Sequence, residues 1–276
     1  MAWVNEIKID ALSGFKDATL ISQADFAINR GVDVVSAVGR VIKRGEPYRF
    51  MENRIVRVLR GFICISINLC EYRIAEGEAL YIGQNSVVEI LDYASDTIVD
   101  LLGFAAPAYG ENIKDVYLIG RECEGWMEEY FRFIYTISAM KPYDKRSVEH
   151  LLLSLHLRIV DNIGSSNQPK GRKEELFRTF IDLLNANYGK YDLPFYAKRL
   201  SISPQYLSRL VFDASGTSAS EWINRAVTLQ AKLLLRSSQR TIEQIAEELH
   251  FSTTPYFCRF FKREVGKTPT EYRQNI

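Results

Sequence analysis

Tyr206-Leu207-Ser208-Arg209 and Tyr256-Phe257-Cys258-Arg259 are one pattern met twice, fifty residues apart. The echo continues: Gly216-Thr217-Ser218-Ala219-Ser220-Glu221-Trp222 is answered by Gly266-Lys267-Thr268-Pro269-Thr270-Glu271-Tyr272. Upstream, Ala197-Lys198-Arg199-Leu200 is answered by Ala246-Glu247-Glu248-Leu249 at an offset of 49, so one residue has been added in the turn that follows. A unit used twice therefore decides the fold of the C-terminal region.

Each copy opens with an apolar-periodic helix, Asp192 to Leu200 and Thr241 to Leu249, the second marked by Thr241 and Gln244 at capping-box spacing. After a short turn, a second helix is expected at Ser203-Pro204 and at Thr254-Pro255, where a hydroxyl caps the end and Pro tolerates the first turn. Two helices joined this tightly are a helix-turn-helix. Spacing of three and four buries Leu207, Leu210 and Val211, and turns Gln205, Ser208, Arg209 and Phe212 outward. In the second copy Phe257, Phe260 and Phe261 are buried, while Pro255, Cys258, Arg259, Lys262 and Arg263 face out. An outward Arg one turn into a helix lying in the major groove can pair bidentately with guanine. The alternative, a solvated Arg in an i,i+4 pair, meets a like charge in the case of Arg259 and Arg263. Base or phosphate contact is accordingly expected of Arg209 and Arg259, and phosphate contact of Lys262 and Arg263, with Gln205, Ser208, Thr254, Pro255 and Cys258 completing the expected DNA-binding set. Between the copies, Ser218 to Leu235 reads as one helix of roughly 27 Å. That length suits seating both second helices in successive major grooves, about 34 Å apart.

Working towards the N-terminus, Gly164 to Gly171 is the most loop-like segment, and residues 165–172 are taken as a linker before a helical domain at 173–276. Residues 112–164 carry two helical stripes, Trp126, Tyr130, Phe133, Ile134, Ile137 and then Val148, Leu151, Leu152, Leu155, Ile159, Ile163, joined by Lys141 to Asp144. They read as an αα-hairpin, either a lid or a homodimer seam. Residues 1–111 read as strands. Ile63, Ile65, Ile67 and Leu69 alternate with Phe62, Cys64, Ser66 and Asn68, and further runs fall at Val34–Ile42, Ile55–Leu59, Tyr72–Ile74, Ala79–Ile82, Val87–Leu91 and Ile98–Phe104. Such spacing predicts a small barrel or double-sheet roll. Phe62, Ser66 and Asn68 would line an interior pocket if their face points inward; the alternation alone leaves that parity open, and also leaves open a filled core.

The 276 residues are 25% charged and 47% hydrophobic, which excludes collagen-like and disordered classes, and no apolar run approaches a membrane span. Asn5, Glu6, Lys8 and Asp10 interrupt any signal-peptide core, leading to the expectation of a cytoplasmic protein. Four scattered cysteines, Cys64, Cys70, Cys123 and Cys258, read as reduced thiols. From Lys173 onward 15 Lys and Arg face 11 Asp and Glu, net +4, leaving −3 for residues 1–172. A basic end of this kind hints at a polyanion partner.

Ile242-x-x-Ile245-Ala246, then Phe251-Ser252-x-x-Pro255-Tyr256-Phe257-Cys258-Arg259-x-Phe261-Lys262-Arg263-x-x-Gly266-x-Thr268-Pro269-x-x-Tyr272-Arg273, resembles the signature of AraC/XylS-family bacterial transcription regulators. Trp222 and Ala231-Lys232-x-Leu234-Leu235 also fit, and the resemblance spans about 100 C-terminal residues. It implies two recognition helices on promoter DNA, a cupin-like sensor barrel at 1–111, a homodimer, a small-molecule effector, a tendency to activate through RNA polymerase, and no cofactor. Two departures stand out. His250 replaces the family's turn glycine, so that residue either avoids a left-handed conformation or tolerates one; Val211-Phe212-Asp213 replaces a basic run, so weaker phosphate contact is expected of the first copy. The competing reading is a cupin-type enzyme or sugar-binding protein with an incidental helical domain. A metal cupin needs clustered histidines, whereas residues 1–149 contain none and only carboxylates are left as ligands.

Overall fold

The computed structural model describes residues 6–7, 20–22, 26–38, 42–105, 116–142, 144–166, 171–188, 192–237 and 239–274. They divide into two units, one up to residue 166 and one from residue 171. The first contains β1 (Glu6–Ile7), β2 (Leu20–Ser22), β3 (Phe26–Asp33), a one-turn helix α1 (Val34–Ala37), β4 (Tyr48–Phe50), β5 (Asn53–Arg60), β6 (Phe62–Ile67) and β7 (Cys70–Ala75). It continues through β8 (Ala79–Ile82), β9 (Val87–Tyr93), β10 (Ile98–Phe104), β11 (Val116–Ile119), α2 (Glu124–Ala139) and α3 (Lys145–Ser166). The second unit is α4 (Arg172–Asn187), α5 (Leu193–Arg199), α6 (Pro204–Ser215), α7 (Ala219–Ser237), α8 (Ile242–Glu248), α9 (Thr254–Val265) and α10 (Pro269–Gln274).

The strands form two sheets, ordered β1-β4-β9-β6-β7 and β11-β8-β5-β10-β3-β2. Every pairing is antiparallel except β1 with β4. Among the described residues they do not close into one barrel, so the double-sheet alternative describes them better. Val34–Ala37, the start of the strand expected over Val34–Ile42, is a helical turn, and residues 39–41 lie outside the described residues. Asp33 caps α1 by accepting from the Val35 amide at 3.0 Å and the Ser36 hydroxyl at 2.8 Å, which holds those residues in a helical turn. Helix was also expected from residue 112, yet β11 pairs with β8 before α2 begins.

The six-stranded sheet is apolar on both faces, because each face has a partner layer. Val56, Val58, Val99 and Leu80 meet Ile63, Ile65, Ile67 and Ile90 of the other sheet. Ile55, Tyr81, Leu102 and Phe104 meet Met127, Phe131, Ile134, Leu152 and Leu155 of the helical pair. The α2–α3 hairpin thus covers the outer face of a sheet. Its buried stripe on α2 is Met127, Phe131, Ile134 and Ser138; of the predicted residues Ile134 is at its centre, Trp126, Tyr130 and Ile137 pack half-buried along its edge, and Phe133 points to solvent.

Within that helix–sheet layer lies a cluster of four charges. Arg57 on β5, 3% exposed, donates to the fully buried Asp100 of β10 at 2.7 Å and also to Glu128 of α2. Arg30 of β3 donates to both Glu128 oxygens at 2.7 and 2.8 Å and to Asp100 at 3.3 Å, and the Gly31 amide donates to the other Asp100 oxygen at 2.8 Å. Two cations and two carboxylates compensate one another, as buried charges require. Burial opposes ionisation of Glu128, but the hydrogen bonds from Arg30 and Arg57 and the charges behind them outweigh it, so its pKa falls below the ordinary 4.5. A depressed carboxyl pKa contributes stability above the unfolded value and loses it as pH falls through the folded one. Chemical unfolding of the intact protein should therefore show stability declining below about pH 4.5, with less acid sensitivity in Glu128→Gln. Asp100→Ala, which leaves the Arg57 and Arg30 cations sharing the single Glu128 carboxylate, should cost about 3 kcal/mol at pH 7.

Candidate nucleic-acid interface

In the second unit the two copies are built alike down to individual hydrogen bonds. Asp192 caps α5 through the Phe195 amide at 3.1 Å, and Thr241 and Gln244 form the expected capping box on α8. Each first helix ends in a closed turn: the Ile202 amide donates to Ala197 at 3.0 Å, and the Phe251 amide to Ala246 at 2.9 Å. Inside these turns Ser201 has φ 56° and His250 φ 60°. His250 therefore does adopt the left-handed conformation, at a steric cost glycine would not carry.

Ser203 then caps α6 by accepting from the Tyr206 amide. On α9 the cap is Thr253, which accepts from the Tyr256 amide at 3.3 Å; Thr254 is the first helical residue, contrary to expectation. The extra residue of the second turn falls after the closed turn, and Thr253 takes it up with extended backbone at φ −151°. Gly216 and Gly266 end the reading helices in left-handed conformations, donating to Phe212 at 2.8 Å and Lys262 at 2.9 Å. Ser218 with Glu221 and Thr268 with Glu271 repeat a second reciprocal cap at the start of α7 and α10. The hydrogen bonds from Ser218 hold the Glu221 carboxyl, and those from Thr268 the Glu271 carboxyl, below the usual range.

Apolar packing fixes which face of each reading helix is outward. Leu207, Leu210 and Val211 are buried in the first, and Phe257, Phe260 and Phe261 in the second, where Phe257 and Phe261 meet Ala231, Leu234, Leu235, Ile245, Ala246 and Tyr272 and Phe260 packs on Phe251. Trp222 locks α6 to α7 by donating to the Ser215 hydroxyl at 2.9 Å. Gln205, Ser208, Arg209 and Phe212 of α6 are exposed, as are Pro255, Arg259, Lys262 and Arg263 of α9. Arg209 and Arg259 have no ion-pair partner among the described residues, whereas Arg263 is held 2.7 Å from Glu264 and over the Phe260 ring. Thr254 is half-buried, and Cys258 is half-buried against the second module's core, so both contribute less free surface than expected. The helix α7 between the modules runs 19 residues, about 28 Å.

The first unit holds a cavity of about 80 Å³ between its two sheets. Its walls include Val32, Val56, Ile63, Ile65, Val88 and Ile90, with Tyr48 and Arg54 the polar side chains. Phe62, Ser66 and Asn68 are not on it: Ile63 and Ile65 point inward, so the alternating set lies on the other face. Phe62 carries Arg73 4.3 Å above its ring, and Asn68 pins the β6–β7 turn, accepting from the Val87 amide at 2.9 Å. Burial pushes the Arg54 guanidinium down to about 10, with Glu52 opposing the shift, and the group lies 4.3 Å over Phe50. Arg54 was missed in sequence reading; a cation inside the buried run Asn53–Val58 was the available signal. Among the described residues no group of three or more His, Cys, Asp and Glu side chains is placed to hold a metal, and no helix is long and apolar enough to cross a membrane.

Residues 196–275 match the family described as a helix-turn-helix domain. The helical unit is a helix-turn-helix domain of the AraC type. The chain is 28% identical over 136 residues to the uncharacterized HTH-type transcriptional regulator YijO of Escherichia coli, covering 49% of this chain and 48% of the relative. It is 31% identical over 134 residues to the arabinose operon regulatory protein of Escherichia coli, covering 48% of this chain and 45% of the relative. The alignment thus spans about half the length of these curated relatives. The solved structure of unsaturated fatty acid-bound ToxT from Vibrio cholerae is 15% identical, covers 91% of this chain and 95% of that one, and superposes with a TM-score of 0.41.

Because Thr253 rather than Thr254 caps the second reading helix of this AraC-type domain, the two adjacent hydroxyls are separable. Thr253→Ala should lower stability by about 1 kcal/mol. In the same chemical-unfolding experiment Thr254→Ala should change it by less than about 0.5 kcal/mol.

Proposed function

We propose that the chain is a sequence-specific DNA-binding transcription regulator, and not an enzyme. The observation that carries this reading is the pair of exposed arginines, Arg209 and Arg259, at equivalent positions of two reading helices whose opposite faces are buried. Each helix presents its outward stripe to the major groove. Gln205, Ser208, Arg209, Pro255 and Arg259 meet base edges or phosphates; Lys262 and Arg263 meet phosphates; Thr254 and Cys258 lie at the margin. With α7 as a rigid spacer, one chain reads two successive grooves and hence an asymmetric promoter site.

The N-terminal unit acts as a cupin-like sensor, a dimerisation module, or both, joined to the DNA-binding domain by the segment between α3 and α4, which is shorter than the expected 165–172 because Ser165, Ser166 and Arg172 are helical. Its cavity favours an apolar effector over a sugar, since aliphatic walls leave few partners for hydroxyl groups. A cytoplasmic homodimer that engages RNA polymerase as an activator completes the reading.

Binding to duplex DNA from the chain's own upstream region, measured by fluorescence anisotropy, tests it. Affinity should fall steeply with salt, as phosphate contacts require. Arg259→Ala and Arg209→Ala should each weaken specific binding by about 1–3 kcal/mol. Unchanged binding in the double variant would remove both residues from the interface.

A further inference from the structure

The two reading helices are the same shape and different in chemistry. Superposing the repeats at their offset of fifty sets Phe212 against Lys262 and Asp213 against Arg263. Arg209 against Asp213 leaves α6 neutral, while Arg259, Lys262 and Arg263 against Glu264 leave α9 at +2. The difference does not fall on an idle flank. At about 100° per residue, Phe212 projects between Ser208 and Arg209 and one turn beyond them, on the middle of the outward stripe. It is 58% exposed, the largest value among the chain's described large apolar side chains. The burial of Leu210 and Val211 beside it leaves the ring no route into the core.

For an aromatic ring at the centre of a groove-facing stripe, the apolar feature available in the major groove is the thymine C5-methyl group. Resting on the DNA-binding reading above, we propose that Phe212 is a specificity-determining residue that packs on thymine methyls in the first half-site, while phosphate attraction is concentrated on α9. Asp213 fits the same division, since a carboxylate beside Phe212 opposes close approach to the phosphate backbone. The first module then discriminates among bases with little electrostatic help, and the second anchors the chain.

Selection of binding sites by the full-length protein from a random duplex library tests this, using wild type, Phe212→Ala and Phe212→Lys. Wild type should enrich sites with thymine at one or two base pairs beside the Arg209 contact, and Phe212→Ala should lose that preference. Replacing those thymines by deoxyuridine, which deletes only the methyl, should weaken wild-type binding about fourfold per methyl and leave Phe212→Ala unaffected. Phe212→Lys should steepen the dependence of log K on log salt by about 0.9, the signature of one added phosphate contact. The proposal is overturned if Phe212→Ala enriches the same sites and deoxyuridine costs wild type nothing. Activated transcription that falls while the selected sites stay the same would also overturn it, assigning the ring to a protein partner instead. If wild type enriches no sequence, the DNA-binding reading fails first and this one with it. Matching thermal transitions for the three proteins exclude misfolding as the cause.

Discussion

The helical unit depends on one constraint, the burial of three apolar residues at i, i+3 and i+4 on each reading helix. Leu207, Leu210 and Val211, or Phe257, Phe260 and Phe261, each gain about 1.5–3 kcal/mol by leaving water. Together they allow one rotation of the helix about its axis. Everything outward follows: once those residues are inside, Arg209 and Arg259 have nowhere to go but solvent or a partner. The arginines are presented by what happens behind them, with no contact of their own to hold them. Such a surface is easy to diversify, because the outward residues do not support the fold. The helices α6 and α9 accordingly share geometry while differing in charge.

The first unit obeys a harder constraint. Its six-stranded sheet is covered on both faces, so β5 and β10 run through two cores at once and period-two alternation no longer separates inside from outside. Charges that enter such strands have to be compensated in place. Arg57 and Asp100 are compensated by each other and by Arg30 and Glu128, which ties α2 to the sheet. Arg54, on the opposite face of β5, lies over Phe50 at the cavity wall. Two arginines three residues apart on one strand thus serve different layers.

These two constraints explain what was legible beforehand. The duplicated module could be read almost to the residue because each copy checks the other: caps, closed turns and terminal glycines recur at a fixed offset, and the 49-to-50 step located the extra residue. The cap itself was misplaced by one because adjacent threonines carry the same chemistry, and only backbone dihedral angles distinguish them. In the sheets, Ala79–Ile82 and Ile98–Phe104 were bounded correctly by turn residues. The strand β3 went unread because Asn29 and Arg30 break its apolar run, although both are accommodated in the fold. Parity on β6 was lost for a different reason: Phe62, Cys64 and Ser66 on one side and Ile63, Ile65 and Ile67 on the other are all compatible with partial burial. Choosing between them requires knowing where the second sheet lies.

The second turn shows why an insertion need not disturb what a helix presents. The bond from the Phe251 amide to Ala246 closes the turn as its counterpart does in the first copy, and the left-handed residue keeps its place inside, as His250 where the first copy has Ser201. The added residue lies beyond that closure, where Thr253 extends before capping α9. Had it fallen inside the closed turn, α9 would have started about 100° out of phase, driving Arg259 towards the core and Phe257 towards solvent. Placing it outside leaves the burial of Phe257, Phe260 and Phe261 to set the rotation again. The turn therefore sets where the reading helix begins and the core sets which way it faces, so the two properties can change independently of one another.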